Sequence, residues 1–334
     1  MVATMVIIGG ITRLTNSGLS MVDWKLFMGM IPPLNEQQWL DTFSNYQQYP
    51  EYQLINHQMT LEVFKEIFFW EWLHRFIGRT IGIVFIIPFL YFIIKKWLSP
   101  KLIKQSLVLF ALGGLQGFLG WFMVKSGLKD MPHVSHYRLA IHLVAALTTY
   151  AYILWVIFGL VIKPSKQHAA KQLQTWNVGL LIVLVLQIIY GAFVAGLKAG
   201  KLFPSFPKMG NHWIAPAVGN FIDDQGITTL FSKAVSVQFV HRYLAYFVVL
   251  FALILWLKSR KENLDSSQKT AIYYILIAIA FQFILGIFTL IYQVPVILGV
   301  SHQFGALILL STVLYSLFLL KPIEQSPHIQ SKLL

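Results

Sequence analysis

Glu71-Trp72-Leu73-His74-Arg75-Phe76-Ile77-Gly78-Arg79 opens an apolar run that continues to Ile94, and Gln238-Phe239-Val240-His241-Arg242 opens another that continues to Leu257. Each run is about 20 residues or longer, the length that crosses a hydrocarbon core as a helix. Other words recur at nearly the same offset, roughly 160–167 residues. Leu115-Gln116-Gly117-Phe118-Leu119-Gly120 resembles Phe281-Gln282-Phe283-Ile284-Leu285-Gly286, and Ser135-His136 with His142 resembles Ser301-His302. A near-constant offset describes two similar four-helix units. An even number of spans per unit gives both the same orientation, so their axis runs along the membrane normal.

Composition agrees. Of 334 residues, 57% are hydrophobic and only 12% charged, with a mean hydropathy of +0.65. Soluble chains carry about 25% charged residues. Half that share does not cover a water-facing surface, which excludes a soluble enzyme, a disordered chain and a nucleic-acid-binding domain. The chain has no cysteine, which excludes disulfides, thiolate nucleophiles, iron–sulfur clusters and cysteine-type zinc sites. The net charge of +13 then marks membrane-flanking loops rather than a nucleic-acid partner.

Eight apolar segments are read as spans: 1–13, 67–94, 105–124, 139–162, 173–197, 237–257, 270–292 and 299–320. The first is short: Met1 to Ile11 rises about 16 Å. The reading expects either a truncated span or one completed by residues ahead of Met1; no basic segment or small-residue cleavage site marks a signal peptide. Lys95, Lys96, Lys101 and Lys104 follow span two, and Lys163, Lys166 and Lys171 follow span four. Lys258, Arg260, Lys261 and Lys269 follow span six, and Lys321 follows span eight. The positive-inside rule places these in the cytoplasm with both termini. The long loops 14–66 and 198–236 then lie outside, with 125–138 and 293–298. Loop 125–138 breaks the pattern, carrying Lys125, Lys129 and Arg138. The expected fold is an all-α integral membrane protein. Its eight transmembrane helices form two tandem four-helix bundles related by pseudo-two-fold symmetry along the membrane normal. The N-terminal bundle is 1–163, the C-terminal bundle 172–322, and a cytoplasmic tail covers 323–334.

Of ten histidines, His57, His133, His136, His168, His212 and His328 fall in loops or the tail. His74, His142, His241 and His302 each sit at the outer end of an even-numbered span, roughly 17–21 residues from the next cytoplasmic basic residue. At 1.5 Å per residue that is about 26–32 Å, so all four lie in one layer. A lone histidine in a span is usually a packing residue facing a hydrogen-bond partner. Four at matched depth, two per repeat, point to ligation. Imidazole pairs bind haem iron axially, whereas structural zinc wants four ligands together. Each histidine is followed four residues later, on the same helix face, by a small residue: Gly78, Ala146, Ala245 and Ala306. These leave room for a macrocycle or serve helix packing. Arg75, Arg79, Arg138 and Arg242 flank the layer, where they bind propionates or snorkel to the interface.

One position breaks the repeat. Glu71, three residues before His74, corresponds to Gln238. A carboxylate at that depth is costly and by default functional. Beside a haem edge it accepts a proton, orients water or stabilises a developing cation; the structural alternative is a pair with Arg75 or Lys65. The first half is therefore expected to hold a reacting haem and the second a redox haem. The first outer loop, rich in aromatic and polar residues, is positioned to cover the site.

These residues resemble the haem A synthase family, in its mitochondrial and proteobacterial version. The resemblance rests on Gly9-Gly10-Ile11-Thr12-Arg13-Leu14-Thr15-Asn16-Ser17-Gly18-Leu19-Ser20-Met21-Val22-Asp23-Trp24-Lys25, Pro50-Glu51-Tyr52, Phe64-Lys65-Glu66-Ile67-Phe68 and the stretch 71–79. It implies an inner-membrane oxidoreductase that converts a methyl of haem O to the formyl of haem A with oxygen from water. It implies that His241 and His302 ligate haem b, that His74 and His142 hold the substrate haem, and that Glu71 is the catalytic carboxylate. Arg75, Arg79 and Arg242 join them as cofactor-binding residues. Haem O synthase would supply substrate, a quinone or redox protein would take electrons, and cytochrome oxidase would receive product; the reading admits a homo-oligomer. Some bacterial members carry a cysteine pair in the first outer loop; this chain has none, so a thiol mechanism is excluded. A non-enzymatic di-haem b electron carrier shares the histidines but leaves Glu71 unexplained. A two-repeat transporter would place its polar residues at the midplane, away from this layer.

Overall fold

Polar residues just ahead of the apolar runs decide where the long helices begin. The computed structural model describes residues 1–22, 29–128, 132–162 and 171–321. Asp23-Trp24-Lys25, Lys129, Lys163, Lys166, His168, His328 and the segment 323–334 lie outside the described residues. After α1 (Val2–Leu14), the Asn35 side chain accepts the Gln38 N–H and starts α2 (Glu36–Tyr46). The short α3 (Pro50–Leu54) follows. The Thr60 hydroxyl accepts the Val63 N–H ahead of α4 (Leu61–Ile94), and Ser99 caps Leu102 at α5 (Pro100–Val124), with Pro100 in the first turn. Then come α6 (His136–Val161), α7 (Lys171–Gly196), α8 (Pro216–Gln225), α9 (Thr229–Ser232) and α10 (Ala234–Ser259). Asp265 and Gln268 satisfy each other's backbone N–H in a capping box that opens α11 (Ser266–Ile291), and α12 (Val296–Leu319) closes the described chain. Such caps contribute about 0.5–2 kcal/mol each.

Seven helices, α4 to α7 and α10 to α12, are long and apolar enough to cross a membrane; α1, at 13 residues, is shorter. The protein is an all-α membrane protein. The helices begin several residues ahead of the apolar runs, at Leu61, Pro100 and Ser266, because the capping residues precede the hydrocarbon-length stretch. Two expectations need correction. The stretches 14–66 and 198–236 are not plain loops: they contain α2 and α3, and α8 and α9. His136 is not a loop residue but the first residue of α6, and its Nε2 lies 3.1 Å from the Phe231 carbonyl.

The densest core lies among α6, α7, α10, α11 and α12, where Leu180, Leu255, Ile272, Ile275, Leu307 and Val313 are fully buried. Helix α1 packs between α4 and α12. Helices α4 and α5 touch over a short stretch only, and Ile83, Val84, Ile87, Leu107, Phe110 and Phe118 on them face outward. In lipid those side chains gain nothing from burial, so helix association rests on close packing and interhelical hydrogen bonds. One such bond joins α7 to α12: Asn177 Nδ2 donates to Ser316 Oγ at 2.9 Å, both residues fully buried. Asn177→Ala is expected to lose about 0.6–2 kcal/mol, seen as a lower Tm in detergent with helical content unchanged. An unchanged Tm would show the bond to be dispensable.

Candidate functional site

Each of the four span histidines lies against a glycine of a neighbouring helix. A Cβ built on Gly9 of α1 would meet His74 Cε1 of α4 at 3.0 Å. On Gly120 of α5 it would meet His142 Cε1 of α6 at 3.2 Å, on Gly191 of α7 His241 Cε1 of α10 at 3.3 Å, and on Gly286 of α11 His302 Cε1 of α12 at 2.9 Å. The ring atom nearest the glycine is Cε1 every time, the edge between the two nitrogens. His142 lies within electrostatic reach of His74, and His302 of His241. The Nδ1 atoms of His74, His241 and His302 are buried without a hydrogen-bond partner.

Among the described residues no three or more His, Cys, Asp or Glu side chains converge as a metal-ion site. Two imidazoles with sealed, unpartnered ring nitrogens are an incomplete donor set for a bare cation. They fit a group that brings its own equatorial ligands, such as an iron porphyrin. The exposed faces of α4 and α5 carry glycines that the second half lacks. Around Gly82 of α4 and Gly113, Gly114 and Gly117 of α5 a Cβ would meet nothing within 4 Å. The repeat puts Val249, Ile279, Ala280 and Phe283 at these positions in the second half.

Glu71 is 3% exposed and fully engaged. Its Oε2 accepts from Ser20 Oγ at 2.7 Å and the Met21 N–H at 2.8 Å, and its Oε1 accepts from Arg75 Nη2 at 2.7 Å. Three donors, one cationic, suit the carboxylate anion. The same stretch of α4 holds more of the first loop: Arg75 Nη2 donates to the Met21 carbonyl, Trp72 Nε1 to Met30 and Arg79 Nη1 to Gly29. The helices α2 and α3 dock beyond it through Tyr46, Phe64 and Phe68, all buried. The second half repeats the device with other chemistry. Arg242 donates to the carbonyls of Phe203, Ser205 and Lys208, and Gln238 Nε2 to Phe203 at 3.5 Å. Arg138 donates to the Phe122 carbonyl at 2.8 Å. The flanking arginines thus hold loop and helix carbonyls here, whatever else they bind.

A cleft of about 170 Å³, lined by Val22, Arg75, Trp121, Val124, Lys125 and Leu128, opens between α4 and α5 one turn beyond Gly120. Of the two cationic side chains that line it, Arg75 is already paired with Glu71, and Lys125 is the second.

Among the described residues Glu51, in α3, is a second buried carboxyl, 7% exposed. Burial chiefly, with the charge of Glu71, pushes it up to about 7, while the Tyr46 hydroxyl, Lys198 and Arg13 pull the other way. Arg13 Nη2 meanwhile donates to the Ala195 and Gly196 carbonyls at the end of α7. Reading the sequence missed Glu51 as a buried group; its place in Pro50-Glu51-Tyr52 was the available signal. It quoted Gly9 and the repeated words 115–120 and 281–286 without assigning their glycines and glutamines a contact with the histidines, and it missed Gln187 and Gly191; Gln116, Gln187 and Gln282 each stand one turn before a histidine-facing glycine. A recurring Gln-x-x-x-Gly was that signal.

A family model described as cytochrome oxidase assembly protein (COX15-CtaA) matches residues 1–314. The chain is 49% identical to the haem A synthase of Flavobacterium psychrophilum over 326 residues, covering 95% of this chain and 94% of that protein. It is 42% identical to that of Nitrosospira multiformis over 319 residues, 94% of this chain and 89% of the relative. It is 44% identical to that of Rhodospirillum centenum over 325 residues, 97% and 86% respectively.

Two outcomes follow from the geometry. Gly286→Ala must move His302 and is expected to cost about 1–3 kcal/mol, whereas Gly191→Ala, with a contact of 3.3 Å, costs less; equal falls in Tm would show that ring contact is not what these glycines serve. For Glu51 the folded carboxyl ionises near 7 and the unfolded one near 4.5. Stability is therefore fully present below 4.5 and declines as pH rises through about 7. Glu51→Gln is expected to flatten that part of the Tm–pH curve, and an unchanged slope would assign it to another group.

Proposed function

The chain belongs to the cytochrome oxidase assembly protein family that its match over residues 1–314 defines, and from that membership we propose how its two histidine pairs divide the work. The protein is a multi-pass membrane enzyme of haem A biosynthesis that binds haem and converts haem O to haem A. In the reading proposed, two four-helix units, 1–163 and 172–322, stand side by side about an axis along the membrane normal. Haem O sits in the first, between His74 and His142, and a resident haem b in the second, between His241 and His302. The supporting observation is a difference between the halves: exposed glycines at 82, 113, 114 and 117, with nothing within 4 Å of a Cβ at any of them, stand on α4 and α5 where the second half has Val249, Ile279, Ala280 and Phe283. A substrate must enter and leave; a resident cofactor must not. A carrier with two equivalent haems has no use for that difference, nor for Glu71 opposite Gln238.

Haem b would supply one-electron transfer when bound. The chain's residues do the rest. His74 and His142 fix the substrate porphyrin in depth and orientation. Arg75 and Lys125, which line the cleft, would meet its carboxylates, with Arg79 one turn further along α4; Arg242 would do the same in the second half. Glu71, anchored by Ser20, Met21 and Arg75, fastens the first loop over the site and excludes bulk water. Its anion accepts a proton or stabilises positive charge as the methyl carbon is oxidised. With one water as the oxygen source, oxidation of the methyl to the formyl releases four protons and four electrons; a quinone or redox protein would take up the electrons, and a haem held by His241 and His302 would supply the one-electron chemistry. The basic loops support a reading with both termini in the cytoplasm and the haem sites near the outer face of the plasma membrane. Haem O synthase supplies the substrate and cytochrome oxidase takes the product.

The test is expression with a source of haem O, followed by extraction and identification of the haems. Glu71→Ala is expected to lower haem A formation by about 10²–10⁴ while haem b stays bound. Removing this carboxylate also breaks the ion pair with Arg75 and with it an anchor of the first loop, so Glu71→Gln is made alongside. It keeps an acceptor for the loop but no charge; full activity in Glu71→Gln would reduce the residue to a loop anchor. His241→Ala or His302→Ala is expected to remove the b-type spectrum, and its retention would exchange the roles of the halves.

A further inference from the structure

Among the described residues two carboxyl side chains are buried, Glu71 and Glu51, and both belong to the first half. In the second half Asp223 and Asp224 are exposed, Glu262 and Asp265 are partly so, and Gln238 stands where the repeat would put Glu71. Glu51 lies just beneath the surface of the first outer segment: Gln53, Leu54 and Ile55, which follow it, are exposed. The Tyr46 hydroxyl donates to Glu51 Oε2 at 3.2 Å and accepts from Asn56 Nδ2 at 2.8 Å. Tyr46 is itself fully buried. The charge of Glu71 reaches both Tyr46 and Glu51. Arg13 of α1 and Lys198, just after α7, also act on Glu51. One cluster thus draws on α1, α2, α3, α4 and the end of α7 around two acids.

The two acids are held differently. Three donors, one of them cationic, surround Glu71, so a proton it takes up is held weakly. Glu51 takes a neutral donor, the Tyr46 hydroxyl, in a buried place. Burial chiefly, with the charge of Glu71, pushes it up to about 7 against the pull of Tyr46, Lys198 and Arg13. A proton therefore passes downhill from Glu71 to Glu51, and a carboxyl of that affinity gives it up to water near neutral pH. A bridging water carries it across the gap between the two carboxyls; the reaction admits water in any case, as its oxygen source. Oxidation of a methyl to a formyl sheds four protons, and positive charge left in a low-dielectric site is costly. The site needs a way out for them.

Resting on the reading that haem O is oxidised beside Glu71, we propose that Glu51 is the proton-release group of the first half: it takes from Glu71 the protons shed by the methyl and delivers them to bulk water on the outer side, with Tyr46 as the residue that positions it. At each passage an O–H bond of Glu71 breaks and one forms on Glu51, at Oε1, since Tyr46 occupies Oε2. That O–H then breaks to water, and Glu51 is an anion again. Four such passages clear one methyl oxidation, while the electrons leave separately to their acceptor. The second half, which on that reading carries no reacting methyl, has neither acid.

The test uses the full-length chain purified in detergent and supplied with haem O, with ferricyanide as electron acceptor and haem A formation as the rate. The parent rate is expected to rise with pH through about 7, because only anionic Glu51 accepts a proton. Glu51→Gln is expected to keep the haem b spectrum, to lose that inflection and to slow haem A formation by about 10²-fold or more. Tyr46→Phe removes a donor that favours the anion and is expected to move the inflection to higher pH, a shift that a merely structural role would not produce. A second readout needs no turnover. Without haem O, the parent is expected to show an infrared carboxyl C=O band that fades as pH rises through about 7 and is missing from Glu51→Gln; a parent without that band overturns the inference. A parent that forms no haem A overturns the underlying reading and this inference with it. A parent that forms haem A, beside a Glu51→Gln variant with the same rate and pH profile, overturns the role of Glu51 alone. Should Glu51→Gln not fold, an inflection unmoved in Tyr46→Phe has the same force.

Discussion

The contact of an imidazole edge with the bare backbone of a neighbouring helix is the constraint on which the rest of the molecule depends. It occurs between α1 and α4, α5 and α6, α7 and α10, and α11 and α12, with glycine on one side and histidine on the other each time. A side chain at any of those glycines would push the two helices apart or turn the ring. Close approach at one level thus sets both helix spacing and ring orientation. It also seals ring nitrogens from water, so the polarity that remains has to be met by another side chain or by a ligand.

Around that layer, loops are fastened to helices by charge. Arg75 and Arg242 each follow a histidine, and each donates to carbonyls of the long segment folded over its half. What differs is the residue three places before the histidine. Glu71 gathers a hydroxyl, a main-chain N–H and a guanidinium, while Gln238 gives one long bond to a carbonyl. A buried carboxylate so held is costly to remove, because its cation would stay behind. On the proposed assignment, anchoring and chemistry are joined in one group in the first half, and the second half needs only the anchoring.

The halves differ in packing as well. Helices α7, α10, α11 and α12 close on one another through large aliphatic side chains, whereas α4 and α5 touch over a short stretch only and carry exposed glycines. In a bilayer, separation of two helices costs little in hydrophobic terms, since lipid is as apolar as leucine. A gap on the lipid-facing side can thus be maintained for a large apolar substrate without unravelling the fold. On the proposed assignment, that is where haem O enters.

Much of this was legible beforehand. The apolar runs, the layer of His74, His142, His241 and His302, and the odd place of Glu71 follow from spacing and from the cost of polar groups in hydrocarbon, which act along one chain at a time. Helix starts at Thr60, Ser99 and Asp265 were set by caps that a count of apolar residues does not weigh, and α2, α3, α8 and α9 lay hidden in stretches read as loops. What the chain's order of residues determined was which groups are too polar for their depth and must find partners. Only tertiary structure decided who those partners are: Ser20 and Met21 for Glu71, a glycine edge for each histidine, a loop carbonyl for each arginine, and a buried place for Glu51. These contacts join residues dozens or hundreds of positions apart, and their geometry exists only once the helices have closed to within a side chain's reach.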